Sequence, residues 1–84
     1  MNHCLLCGRY IDKGTRNTHE VFHGTANRKK SIQYGCCAYL CIDCHRKVHK
    51  DDDVDWYLKQ MFQKRFEELY GFVKFMEVFK RNYL

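Results

Sequence analysis

Proline is absent from this sequence and tryptophan occurs once. The first absence excludes proline-rich linkers and elements broken by a proline ring. Glycine is scarce as well, five among 84 residues, so each one is informative as a breaker. No apolar stretch reaches the length of a membrane span, and no basic leader precedes an apolar segment. Membrane insertion and secretion are therefore both unexpected, and the expected location is the cytoplasm. No internal repeat or low-complexity run is present. Acidic residues are the minority charge: 10 against 15 basic ones leave a formal charge of +5. That surplus favours an anionic partner such as nucleic acid, although many small proteins are as basic without one.

Eighty-four residues make one domain, 1–84, with a modest core that a metal or disulfides would help to hold. Six cysteines are present. In a reducing cytosol, paired cysteines bind metal more often than they form disulfides. Two pairs have the C-x-x-C form, Cys4-Leu5-Leu6-Cys7 and Cys41-Ile42-Asp43-Cys44. Two intervening residues let both thiolates of a pair reach one ion, and zinc takes four such ligands in a tetrahedron. Gly8 suits a tight knuckle after the first pair. The second pair opens a helix, whose dipole favours thiolates. The bland alternative is four buried free thiols in a chance pattern. A redox C-x-x-C is weaker still, because no βαβ context accompanies it. Residues 8–40, 33 in all, separate the pairs. That length suits a hairpin with a helical insertion. Cys36 and Cys37 are adjacent, and adjacent cysteines rarely share one tetrahedral ion, so neither is expected to ligate.

The segment His19-Glu20-Val21-Phe22-His23 reads as a short strand ending at Gly24. Asn27 reads as the cap of a short helix, Arg28 to Tyr34, stopped by Gly35. Cys37-Ala38-Tyr39-Leu40 reads as a second strand, and Cys41 to Lys50 as a helix with a basic C-terminal end. Asp51-Asp52-Asp53 forms an expected linker, with Asp53 as the next N-cap. Over 54–84, Leu58, Met61, Phe62, Phe66, Leu69 and Tyr70 recur at helical spacing up to Gly71, and Phe72, Phe75, Met76 and Phe79 recur beyond it. Both stripes read as core packing of a helical extension on a 1–50 core. The competing reading is a surface for a protein partner.

Five histidines remain: His3, His19, His23, His45 and His49. His45 and His49 share one helix face at i, i+4. His19 and His23 share one parity of the first strand. A helix with two imidazoles against a strand with one or two more can hold a divalent cation and leave positions open for a phosphate oxygen and water. Each of these histidines taken alone also reads as a surface or hydrogen-bonded residue, and His3 is expected to be one.

The order Cys4-x-x-Cys7, His19-Glu20-Val21, Asn27-Arg28, Leu40-Cys41-x-x-Cys44-His45 and His49 resembles the zinc-containing HNH, or ββα-metal, endonucleases. Gly24 to Ser31, Tyr34-Gly35 and the ending Phe79-Lys80-Arg81-Asn82-Tyr83-Leu84 are similar to small phage-encoded members. The resemblance implies an α+β fold: a zinc-stabilised treble-clef, ββα-metal domain with a helical C-terminal extension. It implies structural Zn²⁺ on Cys4, Cys7, Cys41 and Cys44, and His19, His45 and, as a third ligand, His49 on a second cation such as Mg²⁺, Mn²⁺ or Ni²⁺. It implies that Asn27 orients the first strand through backbone bonds. The family's base histidine falls at position 20, where this chain has Glu20. A carboxylate can take a proton from water, weakly when exposed, or add a metal ligand. His23 offers a base from the same strand, out of register.

The expected activity is thus single-metal phosphodiester hydrolysis on nucleic acid, expected to be DNA, in the host cytoplasm if the chain is phage-encoded. Arg28, Lys29, Lys30, Arg46 and Lys47 would bind flanking phosphates, or else form a solvated face. No base-reading motif is recognisable, so little sequence specificity is expected. The alternative is a catalytically degenerate zinc module that binds nucleic acid or a host protein.

Overall fold

A computed structural model describes residues 2–84. The order is β1 (Asn17–Glu20), α1 (Thr25–Gln33), β2 (Cys37–Leu40), α2 (Ile42–Lys50), α3 (Asp52–Tyr70) and α4 (Phe72–Phe79). Among the described residues this is a small α+β architecture with one two-stranded sheet and four helices.

The chain begins with a knuckle. Cys4 N–H donates to Arg9 O at 2.7 Å, and Gly8 N–H donates to Cys4 O at 2.9 Å. Gly8 takes φ 80°, a left-handed conformation that glycine adopts without a Cβ clash. Leu5 N–H donates to Tyr39 O at 3.1 Å, which docks the knuckle on β2.

Strands β1 and β2 pair antiparallel, with His19 opposite Ala38 and Glu20 opposite Cys37. His19, Ala38 and Leu40 are buried. Helix α2 packs across both strands, and α1 is inserted between them in sequence. The first strand is shorter at its end than the sequence pattern suggests, stopping at Glu20 rather than His23. Val21 N–H makes the last ladder bond, to Cys36 O at 3.0 Å. Phe22 then finds its partners elsewhere: the Ser31 hydroxyl accepts from Phe22 N–H at 3.1 Å and donates to Phe22 O at 2.7 Å. A side chain satisfies both backbone groups, so no strand partner is needed there.

Helix α1 starts earlier than expected, and Asn27 does not cap it. Gly24 does, at φ 101°, with no side-chain cap bond. Its carbonyl accepts from Asn27 N–H and Arg28 N–H at 3.2 and 3.0 Å. Gly35, at φ 71°, ends the segment as its composition predicts. The expected Asp51–Asp53 linker shrinks to one residue: Asp51 alone separates α2 from α3. It is also the N-cap in place of Asp53, its Oδ1 accepting from Asp53 N–H at 3.0 Å and Val54 N–H at 3.4 Å.

The aromatic extension is core, in large part. Leu58, Phe62 and Phe66 of α3 and Phe75, Val78 and Phe79 of α4 are buried together. Phe22 joins them, with ring centroids 4.4 Å from Phe79 and 5.3 Å from Phe75. The segment after β1 is therefore anchored in the extension. Leu69, Tyr70 and Phe72 depart from the expectation: at 74%, 50% and 47% exposed they flank the Gly71 turn, at the edge of the core. Fully buried Gln63 holds the last residues back on α3, donating to Asn82 Oδ1 and accepting from Tyr83 N–H, both at 2.8 Å.

Candidate metal centres

The knuckle and the start of α2 bring Cys4, Cys7, Cys41 and Cys44 together, their sulfurs within 4.8 Å of one another. Cys7 and Cys41 Sγ stand 3.8 Å apart. Four sulfurs about 2.3 Å from one zinc make tetrahedral edges of about 3.8 Å, so this pair is already at ligand spacing. Cys41 is also the N-cap of α2, its Sγ accepting from Cys44 N–H at 3.5 Å. The quartet is close enough to hold a metal ion, and its donor set is that of structural zinc. Burial opposes ionisation of Cys4, but the backbone amides of Cys41, Cys7 and Leu6 outweigh it and bring the thiol down to about 6. Burial and the neighbouring sulfurs push Cys44 up. Four thiolates side by side repel one another, and a dication removes that repulsion. Cys36 and Cys37 stand outside the quartet, as expected. Burial pushes the Cys36 thiol up to about 12, and burial with Glu20 raises that of Cys37.

The second group is His19, His45 and His49, each offering a ring nitrogen within 4.8 Å of the others. Strand β1 supplies His19 from its inward face, and α2 lays His45 and His49 over it, with ring centroids 5.4 and 5.3 Å from His19. His45 and His49 Nε2 are 3.3 Å apart. Two nitrogens about 2.0–2.1 Å from a tetrahedral ion are about 3.3–3.4 Å apart. His19 is 2% exposed, and its Nε2 is the one buried side-chain nitrogen or oxygen without a hydrogen-bond partner among the described residues. Burial chiefly, then the neighbouring His45 and His49, depress His19 to about 4. Burial and His49 lower His45 as well. His19 is therefore neutral at physiological pH, with a lone pair to offer.

The other residues singled out in the sequence fall around these two groups. His23 is outside the trio: its Nε2 lies 3.3 Å from Asp55 Oδ1, and its ring centroid is 6.2 Å from that of His19. Glu20 is partly buried, with Arg28 Nε 3.8 Å from its carboxylate. Asn27 makes no side-chain bond to β1; the backbone bracing expected of it is made by Ser31. His3 pairs edge-on with Tyr10. Arg28 and Lys29 lie side by side in the first turns of α1, lining a shallow depression with Gly24 and Thr25. Lys30 is not with them: its Nζ donates to Val78 O at 2.9 Å, at the C-terminal end of α4. Arg46 and Lys47 leave α2 on a face shared with Asp43 and Asp51–Asp53, which offset their charge.

Ser31, Asp55 and Lys59 are the site residues that sequence reasoning passed over. Ser31 is the only buried residue of α1, a basic helix with no apolar stripe to orient it. Asp55 and Lys59 are paired at i, i+4, which reads as an ordinary helix-surface pair. Compared with protein-family models, with curated proteins and with solved structures, the chain finds no match in any of the three.

Proposed function

We propose that this chain is a zinc-stabilised, treble-clef-like module of the HNH type that hydrolyses phosphodiester bonds in DNA. The knuckle, the β1–β2 pair and α2 are the parts such a module needs, with zinc on the cysteine quartet. The reading is carried by one observation: buried His19, whose Nε2 has no hydrogen-bond partner, offers a ring nitrogen within 4.8 Å of those of His45 and His49. An orphaned buried donor or acceptor costs about 1–3 kcal/mol, so its retention calls for a ligand. Three imidazole ligands suit a transition-metal cation such as Mn²⁺, Ni²⁺ or Zn²⁺ better than Mg²⁺. Such a cation supplies charge stabilisation at a scissile phosphate.

The chain's own residues do the rest. Ser31 fixes the backbone after β1 and so the direction of His19 and His23. Arg28, near Glu20, and Lys29, which lines the same depression as Arg28, would hold flanking phosphates. Glu20 and His23 are the two groups near the cluster able to take a proton from water. Incubation of the purified protein with plasmid DNA and Mg²⁺, Mn²⁺ or Ni²⁺ tests the reading. Nicking that disappears in His45→Ala is the expected result; intact DNA with all three cations overturns it.

A second reading, a non-catalytic module that binds nucleic acid or a protein, draws on Glu20. This carboxylate stands at the position of the family's base histidine and is engaged by Arg28. In that reading His45→Ala leaves DNA binding intact and no variant alters cleavage, because there is none.

A further inference from the structure

Asp55 lies one turn into α3 and turns towards the histidine cluster. Its Oδ1 is 3.3 Å from His23 Nε2, and its Oδ2 is 2.7 Å from Lys59 Nζ. The Asp55 and Lys59 side chains are 18% and 13% exposed, so this ion pair is poorly solvated and fixed in one geometry. Burial works against the Asp55 carboxylate, but Lys59 and His23 hold it below the usual carboxylate range. An ionised carboxylate only accepts hydrogen bonds, so the hydrogen between the two side chains belongs to His23 Nε2. In a neutral ring that assigns the lone pair to Nδ1. The His23 side chain is 46% exposed while its ring adjoins His19, so it meets both water and the cluster. Glu20 has no such support: its contact is Arg28, at the edge of ion-pair distance.

We infer that Asp55, held by Lys59, is a positioning residue that fixes the Nε2–H tautomer of His23 and so makes His23 Nδ1, rather than Glu20, the proton acceptor of the site. The chemistry rests on the nuclease reading above; the positioning rests on the His23–Asp55–Lys59 contacts alone. In the step, Nδ1 takes a proton from water as the water oxygen bonds to phosphorus. The bond from phosphorus to the leaving sugar oxygen breaks, and that oxygen takes a proton from solvent. The helical extension is then part of the site and not only its support.

The test joins two measurements on the full chain with zinc on its cysteines. Ring ¹⁵N NMR reads the His23 tautomer, and steady-state plasmid cleavage with Mn²⁺ reads the rate. Wild type is expected to show His23 as Nε2–H, and Asp55→Ala a mixture of tautomers. Asp55→Ala is expected to lower kcat about 10–100-fold, with KM for DNA within about twofold. Asp55→Glu restores part of the rate, and adding Asp55→Ala to His23→Ala costs nothing further. If Asp55→Ala does not fold, the near-isosteric Asp55→Asn takes its place. Its amide donates as well as accepts, so tautomer and rate move in the same direction. An unchanged His23 tautomer, or an unchanged rate in a protein whose wild type cuts, overturns the inference. If wild type cuts with none of Mg²⁺, Mn²⁺ and Ni²⁺, the nuclease reading falls, and the tautomer measurement still decides the role of Asp55.

Discussion

His45 Nε2 and His49 Nε2 stand 3.3 Å apart on adjacent turns of α2, the spacing of two ligands on one tetrahedral ion. Elemental analysis should therefore find one zinc held tightly on the cysteines and a second equivalent of Mn²⁺ or Ni²⁺ taken up on addition. Replacing either histidine with alanine should remove the second equivalent and leave the first. A second equivalent that survives His45→Ala places it elsewhere.

The buried His19 should be a liability without its cation. In protein carrying zinc but no second metal, His19→Leu is expected to raise stability by about 1 kcal/mol, because an orphaned polar atom is replaced by an apolar one. The same change should abolish uptake of the second cation. Thermal unfolding with and without Mn²⁺ checks both: the stabilising order of wild type and variant should invert when Mn²⁺ is added.

The pH dependence follows from the same residue. His19 falls from an ordinary 6.5 to about 4 on folding, so the folded form prefers it neutral. Between those values the unfolded chain binds the extra proton. The associated stability is complete above about pH 6.5 and is lost as the pH falls towards 4. Lowering the pH from 7 to 5 should therefore shift the balance by about 2 kcal/mol in favour of His19→Leu over wild type. Comparing the two proteins cancels the acid lability of the zinc site. Parallel pH curves would disprove the assignment.

Ser31 is fully buried and bonds both backbone groups of Phe22. Ser31→Ala leaves that N–H and C=O without partners, an expected loss of about 2–3 kcal/mol. For a domain of this size that lowers Tm by roughly 10–20 °C. A loss under about 0.5 kcal/mol would show that the Phe22 segment is held by its aromatic packing alone.

The basic residues of α1 should divide by function. Arg28→Ala and Lys29→Ala are each expected to weaken DNA binding, and each should reduce the salt dependence by about one phosphate contact. Lys30→Met should act on stability instead, through its lost bond to the Val78 carbonyl. Equal effects of all three on DNA affinity would contradict this division.

The sequence by itself determined what depends on local spacing. The two C-x-x-C pairs, strand β2, helix α2 with its i, i+4 histidines, and the stops at Gly35 and Gly71 are all legible there, because thiolate spacing, helical period and left-handed glycine conformations are local properties. Only the tertiary structure decided the rest. Asn27 is the expected brace by resemblance, yet Ser31 is the one whose hydroxyl reaches Phe22 when α1 folds back on the strand. Lys30 reads as a phosphate contact, and the arrival of α4 makes it a partner for a helix-end carbonyl. The aromatic stripes of α3 and α4 announce a core but not that Phe22 would enter it, nor that Asp55 and Lys59 would thereby be carried to His23. Some of these contacts join distant residues: Lys30 and Val78 are 48 positions apart, and Phe22 and Tyr83 are further apart still. No periodicity encodes such pairs; they exist because burying Phe22 among Phe75, Phe79 and Tyr83 fixes the extension against the sheet and its cysteine and histidine groups.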